Sequence, residues 1–133
     1  MSKRKCGMVA RATAAKYHNV RTLGYDSAKE AERARVLRLM EKAGKIRDLR
    51  EQVRFELIPV QREGDAERRL GINPSAAQGK VIERAAAYVA DFVYVDATTG
   101  ETVVEDVKGV RTDAYVLKRK MLLWFYGIRV REV

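Results

Sequence analysis

An α/β fold with a central mixed β-sheet flanked by helices is what this chain predicts, and three stretches carry that prediction. Residues 88–109 hold two apolar, β-branched and aromatic runs on either side of Asp96-Ala-Thr-Thr-Gly100, which is the composition of a β-hairpin. Residues 27–44 and 112–127 each combine a capping residue, helically spaced apolar positions and a terminal glycine, the signals that open and close a helix. The resulting order of helix, strand, long loop, hairpin, helix and strand builds one sheet with helices against it.

Ser27 and Glu30 make a capping box at the start of the first helix. Ala31, Ala34, Leu37 and Met40, three residues apart, give it one buried face. Gly44 ends it, and Lys42 and Lys45 suit the negative end of its dipole. From Gln52 to Pro59, Val53, Phe55 and Leu57 alternate with Arg54 and Glu56, the pattern of a half-buried strand with Gln52 at its start. Residues 61–80 are polar, contain Gly64, Gly71, Pro74 and Gly79, and read as a long loop. After the hairpin, Thr112 or Asp113 caps a helix running to Gly127, with Trp124 and Phe125 expected in the core. Residues 128–133 are expected to form a last short strand.

At 133 residues and 47% hydrophobic, the chain suits a single domain over 25–133, preceded by a basic arm over 1–24. The net charge of +9 is concentrated at the two ends. Residues 1–24 carry six Lys/Arg and no acid, and residues 109–133 carry six against two. Such ends offer phosphate contacts indifferent to base sequence. The single Cys6 and single His18 are too few for a Cys/His zinc site, so any metal is expected to be a hard cation held by oxygen, Mg²⁺ or Mn²⁺. No apolar run approaches membrane-spanning length and the first residues lack the apolar core of a secretory signal, so a cytoplasmic protein with no membrane partner is expected.

The chemistry lies in the hairpin. If Asp96 and Glu101 close a four-residue loop, paired positions sum to 197 and Asp91 stands opposite Asp106, with Cβ atoms about 4.5–5.5 Å apart. Two carboxylates so placed among Val, Phe and Tyr repel each other unless a cation lies between them. Lys108 follows Asp106 by two and shares its face, while Val103, Glu105 and Val107 share the other. Slipping the register by one would instead pair Asp91 with Glu105, and Lys108 favours Asp106. Glu30 has two readings at this level, a member of the capping box or an acid brought to the site. Gln52 likewise reads as a supporting residue or as an edge amide.

Asp91, a turn, and Asp106-Val107-Lys108 resemble the metal-binding core of the PD-(D/E)XK nuclease superfamily, with Ala90 where proline is usual. Asp26-Ser-Ala-Lys-Glu30-Ala, Gly44-Lys-Ile-Arg-Asp-Leu49, Gln52, Tyr-Val-Ala-Asp-Phe92, Val-Glu-Asp-Val-Lys-Gly109 and Tyr115-x-x-Lys118 together resemble a group of small phage-encoded proteins in that superfamily. The resemblance implies a restriction-endonuclease-like core in a protein of the bacterial host cytoplasm. It also implies a Mg²⁺- or Mn²⁺-dependent endodeoxyribonuclease, with Asp91, Asp106 and Glu30 as metal ligands and Lys108 as a further catalytic residue. Gln52 and Tyr115 would support the site. Lys3, Arg4, Lys5, Arg11, Lys16 and Lys118 are the expected DNA contacts. One active site per chain points to a homodimer if both strands of a junction are to be cut, as in Holliday junction resolvases. The competing readings are a non-catalytic nucleic-acid-binding accessory protein whose Asp/Asp/Lys cluster is structural, and an interaction protein that pairs through an exposed strand edge.

Overall fold

The computed structural model describes residues 24–25 and 27–133. In chain order these form α1 (Ala28–Lys42), β1 (Ile46–Ile58), β2 (Gln61–Arg62), α2 (Asp65–Arg69), β3 (Val81–Glu83), β4 (Ala86–Asp96), β5 (Thr102–Asp106), α3 (Asp113–Tyr126) and β6 (Arg131–Glu132). Among the described residues the main sheet has the order β1-β4-β5-β6. Its first two pairings are antiparallel and the last is parallel, so the sheet is mixed, with α1 and α3 against it.

Both long helices begin and end where their residues dictate. Ser27 Oγ accepts the backbone N–H of Glu30 at 3.1 Å and Thr112 Oγ1 that of Tyr115 at 3.1 Å, each satisfying an orphan donor of the first turn. At the far end of α3, Gly127 takes φ +67°, a conformation open to glycine at little cost. The hairpin turn closes through Asp96 N–H to Glu101 O at 2.9 Å, while Asp96 Oδ1 accepts from Thr98 and Thr99.

Two apolar clusters hold the layers together. Ala34 and Leu37 of α1 pack with Ile46, Phe92, Tyr94 and Val103; Tyr115 and Leu122 of α3 pack with Leu57, Tyr88, Ala90, Val93 and Val104. Regular alternation would keep Ala90 and Phe92 on one face of the sheet, yet they belong to different clusters. The same happens in β1, where Glu51 meets Tyr25 and Arg38 beside α1 while Val53 packs towards α3. Both strands therefore turn over at one row, Gln52 opposite Asp91, between the pairs Glu51↔Phe92 and Val53↔Ala90. In β1 the local device is Gln52 itself, at φ +52°.

Four expectations are corrected. The strand expected from Gln52 begins at Ile46, so Gln52 lies within it rather than at its start. The segment 61–80 is no open loop: β2 pairs with β3, and α2 sits between them, tied down by Arg62 N–H to Asp65 Oδ2 at 2.7 Å and by the Arg68–Asp65 ion pair. Of the other charged side chains in the segment, Arg62 donates to Gly79 O and Glu63 accepts the Lys80 N–H, so they tie the two ends of the segment together. The last strand is confined to Arg131–Glu132. Trp124 and Phe125 are 83% and 55% exposed rather than core, because Tyr115 and Leu122, one helical heptad apart, supply the buried side of α3.

Candidate functional site

The register of β4 and β5 sums to 197 from Phe92↔Glu105 to Val95↔Thr102, as the turn predicts. Asp91 and Asp106 occupy the next position, at the seam where β4 turns over. Asp91 Oδ2 accepts the backbone N–H of Val107 at 2.8 Å, and its carboxyl lies within hydrogen-bonding reach of Asp106. Burial first, and the Asp106 carboxylate second, push the Asp91 carboxyl up to about 7 against the opposing pull of the Val107 N–H; the charge of Glu30 adds to the rise.

Asp106 is 2% exposed. The Tyr88 hydroxyl donates to its Oδ2 and Lys108 Nζ lies 2.9 Å from its Oδ1. Burial and the adjacent Asp106 hold Tyr88 far above the usual phenol range, so it stays a donor. Lys108 Nζ sits 4.1 Å from the centre of the Tyr115 ring, an attraction between ammonium and π face. The Tyr115 hydroxyl donates to Glu132 Oε1 at 2.9 Å, and Arg111 and Arg119 pair with the same carboxylate. Burial, followed by that bond, raises Tyr115 to about 12. The face assignment also holds: Glu105, fully buried, takes Arg33 of α1 at 2.6 Å on the opposite face from Asp106.

Glu30 enters from the first turn of α1 and is 5% exposed. Its Oε1 accepts Gln52 Nε2 at 2.9 Å, and the same amide lies 3.5 Å from Asp91 Oδ1. Ser27 caps the helix through the Glu30 backbone N–H, while the Glu30 side chain meets Gln52. Gln52 is the link between Glu30 and Asp91, a role it gains from the turnover of β1.

The structure thus brings together Asp91, Asp106, Lys108, Gln52, Glu30 and Tyr115. Among the described residues, no three His, Cys, Asp or Glu side chains form a ready-made metal cage. The centre is the Asp91/Asp106 pair, with Glu30 joined to it through an amide. Lys118 is exposed on α3, and it is its neighbour Arg119 that meets Tyr115 and Glu132. Asp26, Lys3, Arg4, Lys5, Arg11 and Lys16 lie outside the described residues. The sequence reading missed Tyr88, since simple alternation puts it on the face of Phe92. It also missed Glu132, although this is one of only two acids in the basic stretch 109–133.

Among the described residues, no helix is long and apolar enough to cross a membrane. No curated protein and no solved structure matches the chain. Residues 11–131 match the family described as "Protein of unknown function (DUF1064)", and the chain belongs to that family.

Proposed function

We propose that this protein is a metal-dependent endonuclease that hydrolyses phosphodiester bonds in DNA, on a restriction-endonuclease-like core. The observation that carries the reading is the pair of adjacent carboxylates, Asp91 and Asp106, in an apolar sheet with the Lys108 ammonium 2.9 Å from one of them. The donor set fits Mg²⁺ or Mn²⁺: all of its oxygens are hard, and Mg²⁺ commonly takes only one or two carboxylates besides water and substrate phosphate. A bound ion would polarise the phosphate and lower the pKa of water.

The chain's own residues divide the remaining work. Asp91 and Asp106 would hold the ion, and Tyr88 fixes the orientation of Asp106. Gln52 keeps Glu30 turned towards Asp91 as the third acid. Lys108, steadied over Tyr115, orients or deprotonates the attacking water, or neutralises charge growing on the phosphate oxygens. Cleavage of both strands of a branch would need two copies of this site, so a homodimer acting on branched DNA is the favoured form.

A second reading, a non-catalytic nucleic-acid-binding accessory protein, is favoured by one observation: both Asp106 oxygens already have partners, in Tyr88 and Lys108. Incubating the protein with labelled linear, flapped and four-way DNA in Mg²⁺ and Mn²⁺ separates the two. Cleavage, together with a metal-dependent rise in melting temperature, supports the nuclease. DNA binding with neither supports the accessory protein.

A further inference from the structure

Two open clefts lie on either side of Glu132. One, of about 460 Å³, is lined by Lys29, Lys108 and Arg111; the other, of about 440 Å³, runs between α3 and the segment leading to β6 and is lined by Arg119, Lys120 and Arg129. Six cations face the two spaces. Glu132 is an acid of both linings, and its charge is already taken up by Arg111 and Arg119. The nearer cleft is lined by Lys108, whose Nζ lies 2.9 Å from Asp106 Oδ1. The farther one is flanked by Trp124, one turn beyond Lys120 on the same side of α3 and 83% exposed.

A cationic groove with an exposed aromatic ring beside it has the chemistry of a single-stranded nucleic-acid seat, in which the groove follows the phosphates and the ring stacks on a base. Lys120 and Arg129 take no part in the ion pairs among the described residues, and both are exposed, so neither has an evident structural task. An acidic peptide would satisfy the cations but would leave Trp124 unexplained. We propose that the two clefts form one continuous seat for a DNA strand with unpaired bases, in which Lys120 and Arg129 bind phosphates away from the cutting centre and Trp124 stacks on a base. This rests on the reading of Asp91 and Asp106 as the point at which that strand is cut.

The test is binding without metal. Fluorescence anisotropy in EDTA, with a labelled 20-nucleotide single strand and a blunt duplex of equal length, is measured across a salt series. K120A/R129A should weaken single-strand binding and make the plot of log affinity against log salt shallower by about 1.4, roughly 0.7 for each phosphate that is no longer neutralised. Trp124→Ala should weaken single-strand binding by at least about fivefold and leave duplex binding unchanged. Trp124 is the chain's single tryptophan, so saturating single strand should also quench the intrinsic fluorescence of the unaltered protein.

An unchanged salt slope in K120A/R129A, unquenched tryptophan, or equally tight binding of polyglutamate would overturn the seat. Failure of the nuclease reading would look different: the wild type would bind strand with these signatures but cut nothing in Mg²⁺ or Mn²⁺.

Discussion

Replacing Asp91 by asparagine tests the electrostatics of the site without requiring a substrate. The ionised carboxylate of Asp91 is held among apolar side chains and against Asp106, and its carboxyl is raised from 3.8 to about 7. A rise of that size corresponds to at most about 4 kcal/mol against the ionised form. Asp91 is still partly open to water, so an actual effect of about 1–2 kcal/mol is expected. The sign follows from proton counting: between pH 3.8 and about 7 the folded state holds a proton that the unfolded state has lost, so stability falls as pH rises through that window. Asparagine removes the charge and can still accept the Val107 N–H. Urea unfolding of the metal-free protein from pH 4.5 to 8.5 should therefore show the wild type losing stability across the window and Asp91→Asn staying nearly level, about 1–2 kcal/mol more stable at pH 8. Adding Mg²⁺ should raise the wild-type midpoint and leave the variant's unchanged. If Asp91→Asn is less stable than wild type at pH 8, or if the two pH profiles run parallel, the two carboxylates do not oppose each other and the metal reading loses its basis.

Other expectations follow from the same geometry. Asp106→Asn should abolish DNA cleavage, whereas Glu105→Gln, which touches only the α1 face and leaves the partly exposed Arg33 without its anion, should cost about 1–3 kcal/mol in unfolding and leave turnover per folded molecule near wild type; the reverse ranking in a gel cleavage assay would show the face assignment to be wrong. Lys108→Ala should lower the maximal cleavage rate at saturating DNA by about 100-fold or more. Leu122→Ala, at a fully buried position of α3, should cost about 2–5 kcal/mol in chemical denaturation, and a loss under 1 kcal/mol would mean that α3 is not held there.

Much of this architecture could be read from the residues because it rests on local chemistry. Ser27, Thr112, Gly127 and the Asp96–Glu101 turn act on neighbours within a few positions, and the turn alone sets the register that aligns Asp91 with Asp106. What could not be read depends on distant partners. Nothing in the alternation of 46–58 announces that Gln52 adopts a left-handed backbone, since glutamine is a poor signal for that conformation. Tyr88 therefore seemed to face away from Asp106, although its hydroxyl donates to it. Segment 61–80 shows turn residues and balanced charge, and its order comes from the pairing of Gln61 with Glu83 and Arg62 with Val81 together with the bonds of Asp65 to Arg62 and Arg68. Trp124 looked like core because tryptophan usually is; its position on α3, away from Tyr115 and Leu122, decides otherwise.

The turnover at Gln52 and Asp91 makes the site a joint between two half-sheets, each braced by its own helix. α1 carries Glu30 and is anchored through Leu37 and the Arg33–Glu105 pair; α3 backs Lys108 through Tyr115 and is anchored through Leu122. Damage on the two sides should consequently show different symptoms. A cavity beside Leu37 would loosen the acid that approaches Asp91 and should appear first as weaker metal retention. A cavity beside Leu122 would let the Lys108 ammonium wander from Asp106 and should appear as slower chemistry with the ion still bound.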